Sequence, residues 1–368
     1  MGFTRFTLAS MVVIFHSGFG GGGGVYALYG FYLLSGYIVQ KILLEKYNYN
    51  RGVYLFFLNR FLRLIPSFLI ASFLMYVSFL GICNLFGLAE CQSLPTNVTL
   101  YVKQTSFTYD DFINGVIPNN VFKINPIQYV SFFGFISAFW SISIELFYYI
   151  AAPLIMLVKF KHRQKVLKIT YIIFFFIYLY YSFILTGYND AGRWSDIVYR
   201  NSIPTIFFFL SGAMLYENIN KFKALQQIQF FKNQNYPKIF FLIIALVVMI
   251  GSKYIAPPNY LIIQYNIWIL LISLGVAIVI ISEQPTNYFS KENRFDYFLG
   301  ELSYPIYINH KAILVMMIAY EILIDKDVSQ TKSILQYLLI YLGSLVIATI
   351  FYFVVDRNIT KLRKLLRN

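Results

Sequence analysis

Long apolar runs separated by short polar breaks dominate the chain from end to end. Many of the runs approach the roughly 20 residues that an α-helix needs to cross the hydrocarbon core of a bilayer. The pattern therefore predicts an all-α fold, a polytopic integral membrane helix bundle with about ten transmembrane helices. The predicted spans are 6–19, 25–43, 64–82, 131–158, 169–187, 201–216, 239–256, 260–282, 298–324 and 335–355.

The composition supports a membrane protein. Of the 368 residues 58% are hydrophobic and only 12% are charged, and the mean hydropathy is +0.62. A soluble domain carries about 25% charged residues and has too little interior to hide so much apolar surface. We expect a single transmembrane domain over 1–368, with no appended soluble domain.

The distribution of positive charge predicts the orientation in the membrane. If both termini are cytoplasmic, the inner segments hold 22 of the 30 Lys and Arg residues and the outer segments hold seven. This bias follows the positive-inside rule and accounts for the net charge of +14, so we expect no nucleic-acid partner. The expected location is the inner, cytoplasmic membrane.

The cysteine content is low. Only Cys83 and Cys91 are present, which offers neither a zinc site nor a disulfide scaffold, and no metal is expected. The two could pair with each other if their loop is extracytoplasmic.

Ionisable side chains within the predicted spans are the first functional candidates, because each costs at least about 2.5 kcal/mol at a helix centre. They are His16, Glu145, His310 and Lys311. Arg5 precedes His16 by eleven residues, about three turns, so both face nearly the same way, with His16 roughly 16 Å above the inner surface. A neutral imidazole there could act as a general base, or could form only an interhelical hydrogen bond.

Arg60 and Arg63 share a helix face at the inner boundary of the third predicted span. Two guanidinium groups at this spacing suit the phosphate groups of a ligand. The competing interpretation is a topology determinant whose side chains reach the lipid headgroups.

The fourth predicted span carries polar groups at helical spacing. Ser141, Glu145 and Tyr148 fall along one face, and Trp140 precedes them. A carboxylate in this setting must pair or stay protonated, so Glu145 could orient a histidine or an arginine. His310, in the ninth span, could be a second catalytic or acceptor-binding group, or could serve helix packing alone.

Five segments, taken in order, resemble the motifs of the membrane acyltransferase-3 family, whose best-known members are bacterial sugar O-acetyltransferases. Arg5 and His16 are similar to its spaced Arg and His on the first helix. The other segments are YGFYLLSGY at 29–37, NRFLRLIP at 59–66, FWSISIELFY at 139–148 and LGELSY at 299–304, which continues to His310.

The resemblance implies that Arg60 and Arg63 bind an acyl-CoA donor, most often acetyl-CoA, and that His16 is catalytic. On this hypothesis Arg5 and Glu145 set the orientation and the pKa of His16. The motif residues expected in the acceptor site are Ser35, Trp140, Ser141, Tyr148, Tyr304 and His310. The implied acceptor is a cell-surface polysaccharide, lipopolysaccharide or lipid-linked glycan.

Two other function classes stay open at this point. A saccharide transporter or flippase, or a glycan polymerase, would also be aromatic-rich and polytopic, but would not need an arginine pair together with a buried His and Glu. A membrane scaffold would tolerate replacement of His16 and Glu145 by Leu. The acyl group, the sugar hydroxyl and the oligomeric state are not specified by the residues.

Overall fold

The computed structural model describes residues 1–19, 22–47, 52–86, 139–156, 160–186, 194–254, 261–283, 291–323 and 334–365. Within these ranges the chain is helical and contains no strand. The longer helices and their bounds are α1 Gly2–His16, α2 Gly23–Lys46, α3 Gly52–Phe86, α4 Phe139–Met156, α5 Phe160–Leu179, α6 Ser202–Glu217, α7 Asn235–Tyr254, α8 Leu261–Ser282, α9 Lys291–Leu323, α10 Ile334–Phe351 and α11 Arg357–Leu365. π-helical segments extend α5 over Tyr180–Leu185 and join α10 to α11 over Tyr352–Asp356.

Six helical stretches in the described residues are long and apolar enough to cross a membrane. They are Gly23–Lys46, Gly52–Leu74, His162–Leu185, Asn235–Tyr254, Leu261–Ser282 and Ile334–Arg363. Three further apolar helices, Gly2–His16, Ser141–Leu154 and Ser202–Glu217, are shorter. The all-helical membrane fold is therefore confirmed, while the count of about ten spans and the cytoplasmic termini stay predictions.

Three helices begin well before the predicted spans. α3 begins at Gly52 rather than at 64, α5 begins at Phe160 rather than at 169, and α9 begins at Lys291 rather than at 298. The apolar pattern ends at the first charged residues, but backbone hydrogen bonds continue through polar positions, so hydropathy alone placed these starts too late. Arg60 and Arg63, which were predicted to share a helix face at the boundary of the apolar span, lie inside α3.

The centre of the bundle is the close packing of α2 against α6. A Cβ atom on Gly36 would lie 1.9 Å from the carbonyl oxygen of Phe209, and one on Gly212 would lie 1.9 Å from that of Leu33. Only glycine permits this approach of two backbones, as is common between membrane helices. The contact places the polar face of α2 that carries Ser35 toward α4.

Helix α1 lies between α2 and α9 and runs parallel to α9. Gly2 packs against Gly300 at one end of the pair, and His16 stacks on His310 at the other. The first turn of α1 is anchored by Asp296, whose carboxylate accepts hydrogen bonds from the backbone N–H groups of Gly2 and Phe3 at 2.8 and 3.1 Å. These N–H groups have no partner within a helix, so a carboxylate there stabilises the start of α1.

The outward faces of several helices are apolar. Exposed residues on α5, α7 and α10 include Phe176, Leu246, Ile250, Leu342 and Val346. Such faces are expected where a helix contacts lipid. Cys91 lies outside the described residues, so its predicted pairing with Cys83 does too.

Candidate active site

A cavity of about 70 Å³ opens where α1, α2, α3, α4 and α9 converge. Its polar lining includes six of the site residues predicted from the sequence and three more, Tyr32, Ser303 and Tyr307, which lie within the motif segments but were not predicted individually. The lining residues are Arg5, Leu28, Phe31, Tyr32, Ser35, Arg63, Leu64, Ser141, Ile142, Glu145, Ser303, Tyr304 and Tyr307. The tertiary fold thus brings residues from all five sequence segments together.

Glu145 is the acidic residue of this cavity. Its Oε1 atom accepts a hydrogen bond from the Ser35 hydroxyl at 3.1 Å and a short one from the Tyr149 hydroxyl. Tyr149 follows Glu145 by four residues, one helical turn, so the contact is local to α4. Two hydroxyl donors therefore hold one oxygen of the Glu145 carboxylate in place.

The structure corrects the predicted face of α4. Tyr148 does not line the cavity, since its ring stacks on that of Phe209 with centroids 4.3 Å apart. Tyr149 occupies the position near Glu145 that was expected for Tyr148. For Trp140 the structure describes the backbone, as part of α4, and the predicted role of its side chain is not addressed.

Arg5 and Arg63 bring positive charge into the same cavity. Glu145 and Glu301 act electrostatically on both guanidinium groups, which also repel each other. Two cations and two acids at one place in a membrane protein offset each other's cost of burial. A site of this kind can accept an anionic group, because a ligand phosphate can take up hydrogen bonds from Arg63 directly.

Arg60 has a different environment from Arg63, although the sequence pattern treats them as a pair. Its side chain is 5% exposed, and its guanidinium carbon lies 5.5 Å from the ring centre of Phe56 and 5.3 Å from that of Tyr149. These are cation–π distances. Arg60 is therefore held between aromatic rings behind the cavity, and Arg63 is the member of the pair that faces it.

Helix α9 closes the cavity opposite α4. The Tyr307 hydroxyl is hydrogen-bonded to the Ser141 hydroxyl, which ties α9 to α4. The Tyr304 hydroxyl donates to the backbone carbonyl of Leu64 at 2.6 Å, which ties α9 to α3. Tyr304 thus presents its ring to the cavity while its hydroxyl maintains the fold.

A second polar site lies at the other end of α1. His16 is the last residue of this helix and is exposed, and its ring stacks on that of His310, with centroids 5.1 Å apart and planes 24° apart. His310 is 1% exposed, and its Nδ1 lies 2.7 Å from the carbonyl oxygen of Tyr307. A carbonyl only accepts, so Nδ1 carries the proton and Nε2 keeps its lone pair, for which the described residues offer no hydrogen-bond partner.

This arrangement corrects the predicted role of Glu145 and Arg5. Eleven residues of helix, about 16 Å, separate Arg5 from His16. Among the described residues Glu145 bonds with Ser35 and Tyr149, and the groups that act on His16 are His310 and Lys311. Glu145 therefore belongs to the arginine cavity and does not orient His16 directly. Sequence spacing could not reveal the pairing of His16 with His310, because they are distant along the chain.

The described residues contain no group of three His, Cys, Asp or Glu side chains that could hold a metal ion. The expectation that the protein needs no metal stays a prediction.

Comparisons with known proteins agree with this geometry. A family model described as an acyltransferase domain matches residues 2–353. A protein of Haemophilus influenzae whose function is uncharacterised is 26% identical over 207 residues, which cover 54% of this chain and 78% of that protein. No solved structure matches the chain significantly. Because the family match covers nearly all of its residues, this helical membrane protein belongs to the acyltransferase-3 family.

Proposed function

We propose that this protein is an O-acyltransferase of the inner membrane that moves an acyl group, most readily acetyl, from cytosolic acyl-CoA to a sugar hydroxyl. The acceptor is a cell-surface polysaccharide, lipopolysaccharide or lipid-linked glycan. The observation that carries the proposal is the convergence of Arg5, Arg63 and Glu145 in one cavity of a chain that belongs to an acyltransferase family.

The donor is proposed to bind through its phosphates at the arginine end. Arg63 faces the cavity and can donate two hydrogen bonds to one phosphate, and Arg5 adds a second positive charge. Arg60, held between Phe56 and Tyr149, contributes its charge and keeps Tyr149 in place. When no donor is bound, Glu145 and Glu301 offset the charge of these guanidinium groups.

The reaction is proposed to take place at the histidine end. His16 removes the proton from the acceptor hydroxyl as its oxygen attacks the thioester carbonyl carbon. The new C–O bond forms, the C–S bond breaks, and the departing CoA thiolate takes the proton from His16. The long phosphopantetheine arm of CoA suits a site whose phosphate and thioester ends lie apart, as the roughly 16 Å between Arg5 and His16 requires.

The test is acetyl transfer from radiolabelled acetyl-CoA to the glycan fraction of membranes that contain the protein. We expect label with the wild type and none with His16→Ala or Arg63→Ala. The matched controls are His162→Ala and Arg294→Ala, because both side chains are exposed. Both controls are expected to transfer label as the wild type does.

Three outcomes would change the proposal. If native glycan receives no label from any acyl-CoA, the enzymatic proposal is wrong and a saccharide transporter is favoured. If His16→Ala still transfers label, the protein is an acyltransferase with another base. If label accumulates on the protein itself before it reaches the glycan, transfer passes through an acyl-enzyme and not directly.

A further inference from the structure

Helix α11 returns the chain to the arginine end of α3. The Nε and Nη2 atoms of Arg363 both donate to the Asn59 side-chain oxygen, at 3.0 and 2.7 Å. Asn59 directly precedes Arg60 and lies one helical turn before Arg63. A third arginine, from a distant part of the chain, thus lies beside the pair that the motif contains.

The charges around Arg363 do not balance. Arg60 and Arg63 both repel it, and Glu301 is the acidic side chain that attracts it. Asp356, which also lies in this region, is engaged by the Ser67 hydroxyl and is attracted by both Arg63 and Arg363. Counted together, the four guanidinium groups of this end (Arg5, Arg60, Arg63, Arg363) interact with three carboxylates (Glu145, Glu301, Asp356), which leaves one positive charge for an anion.

Arg363 also has hydrogen-bonding capacity to spare. A guanidinium group has five N–H donors. Within the described residues Arg363 uses only Nε and one N–H of Nη2, and both reach the same oxygen of Asn59. This contact orients the guanidinium plane and leaves Nη1 available to an incoming phosphate oxygen.

We propose that Arg363 is a donor-binding residue, which contacts a phosphate of the nucleotide part of acyl-CoA, and that α11 forms one wall of the donor site. The inference rests on the proposed function and deepens it, because it adds a residue outside every motif recognised in the sequence. Arg63 then serves the phosphate nearest the cavity and Arg363 serves one farther out, which suits a ligand with several phosphate groups.

The experiment distinguishes phosphate binding by the charge of Arg363 from the contact by which Arg363 holds α11 against Asn59. Arg363→Lys keeps the positive charge but loses the planar fork, whereas Arg363→Gln can still hydrogen-bond to Asn59 but has no charge. CoA binding is measured as thermal stabilisation of the purified protein in lipid-free detergent, and the KM for acetyl-CoA and kcat are measured in membranes. Lys361→Ala is the matched control, since Lys361 is an exposed cation of the same helix.

We expect Arg363→Gln to weaken CoA binding and raise the KM for acetyl-CoA about tenfold or more, with kcat little changed. Arg363→Lys should retain most of the binding, and Lys361→Ala should match the wild type.

The inference is wrong if Arg363→Gln binds CoA as the wild type does. It is also wrong if the Arg363→Gln protein binds CoA more tightly than the Arg363→Lys protein, because Arg363 would then only hold α11 against Asn59.

Two further arms identify the source of failure. If the wild type neither binds CoA nor transfers acetyl, the proposed function fails and the inference falls with it. Thermal stabilisation by added phosphatidylglycerol is measured in the same way. If Arg363→Gln loses this stabilisation but keeps that by CoA, the arginine binds a lipid headgroup and the inference alone is wrong.

Discussion

The two ends of helix α1 are built on different principles. At its start, the backbone is bonded to Asp296 and Arg5 faces a cavity in which charges offset one another. At its end, His16 is exposed and its ring stacks on that of His310. Charged and mutually compensated groups suit the binding of an anion, whereas imidazoles with a free lone pair suit proton transfer. The proposed function therefore assigns anion binding to one end of α1 and proton transfer to the other.

The largest expected effect separates the two ends by function. His16→Asn should lower the rate of acyl transfer roughly 10²- to 10⁴-fold, the usual contribution of a general base. CoA binding should stay unchanged because His16 does not line the cavity. Initial rates and CoA-dependent thermal stabilisation on one preparation give both quantities, with His162→Asn as the control. A His16→Asn protein that also lost CoA binding would contradict the separation.

The next largest effect is expected when a negative charge is removed from the binding end, where Arg5 and Arg63 are offset by carboxylates. Glu145→Gln should reduce the free energy of unfolding by about 3 kcal/mol, because Arg5 and Arg63 lose an acid that attracts both. The measurement is denaturant unfolding in detergent. Glu45→Gln is the control: Glu45 is exposed and accepts a hydrogen bond from Tyr216 at 3.1 Å, so its change should stay within about 0.5 kcal/mol. Equal losses in the two variants would show that the carboxylate of Glu145 has no special role.

A smaller effect concerns the anchoring of the start of α1. Gly2→Ala should cost about 1–3 kcal/mol of unfolding free energy, since the new Cβ would lie 1.5 Å from the Asp296 carbonyl oxygen and backbone must shift. Gly81→Ala serves as the control, because nothing lies within 4 Å of a Cβ there. The measurement is the thermal unfolding of both proteins. A Gly2→Ala protein as stable as Gly81→Ala would mean that the start of α1 is free to move.

The smallest effect is a pH dependence at the same anchor. Burial raises the pKa of Asp296, but the N-terminal ammonium, the Phe3 and Gly2 N–H groups and Lys238 outweigh burial and hold that pKa well below its ordinary value of 3.8. A carboxyl whose pKa is lowered in the folded protein stabilises the fold at pH values above its ordinary pKa. This contribution is lost as the pH falls below that ordinary pKa. The stability difference between wild type and Asp296→Asn should be on the order of 1 kcal/mol and constant from about pH 8 to 5, and should shrink below about pH 4.

Unfolding free energies of the two proteins across this range are the measurement. A difference that grows toward acid would mean that the folded protein favours the protonated carboxyl, opposite to the contacts made by Gly2 and Phe3.

Sequence spacing and the family resemblance together predicted much of the binding end. Arg5, Ser35, Arg63, Ser141, Glu145 and Tyr304 all line one cavity. Spacing failed where the rotation of a helix about its axis mattered. Positions 148 and 149 of α4 differ by about 100° in direction, and only the packing of Tyr148 on Phe209 shows which of the two faces Glu145. The separate environments of Arg60 and Arg63 were hidden for the same reason.

The chain by itself determined that this is a helical membrane protein, because apolar runs of bilayer length leave the backbone no other way to satisfy its hydrogen bonds. It also predicted which residues are candidates for chemistry, because an ionisable group in such a run is costly to bury. Only the tertiary structure decided the partners: Glu145 with Ser35 and Tyr149, His16 with His310, and Arg363 with Asn59. Most of these contacts join residues far apart in the sequence, and local spacing carries no information about which helices pack side by side.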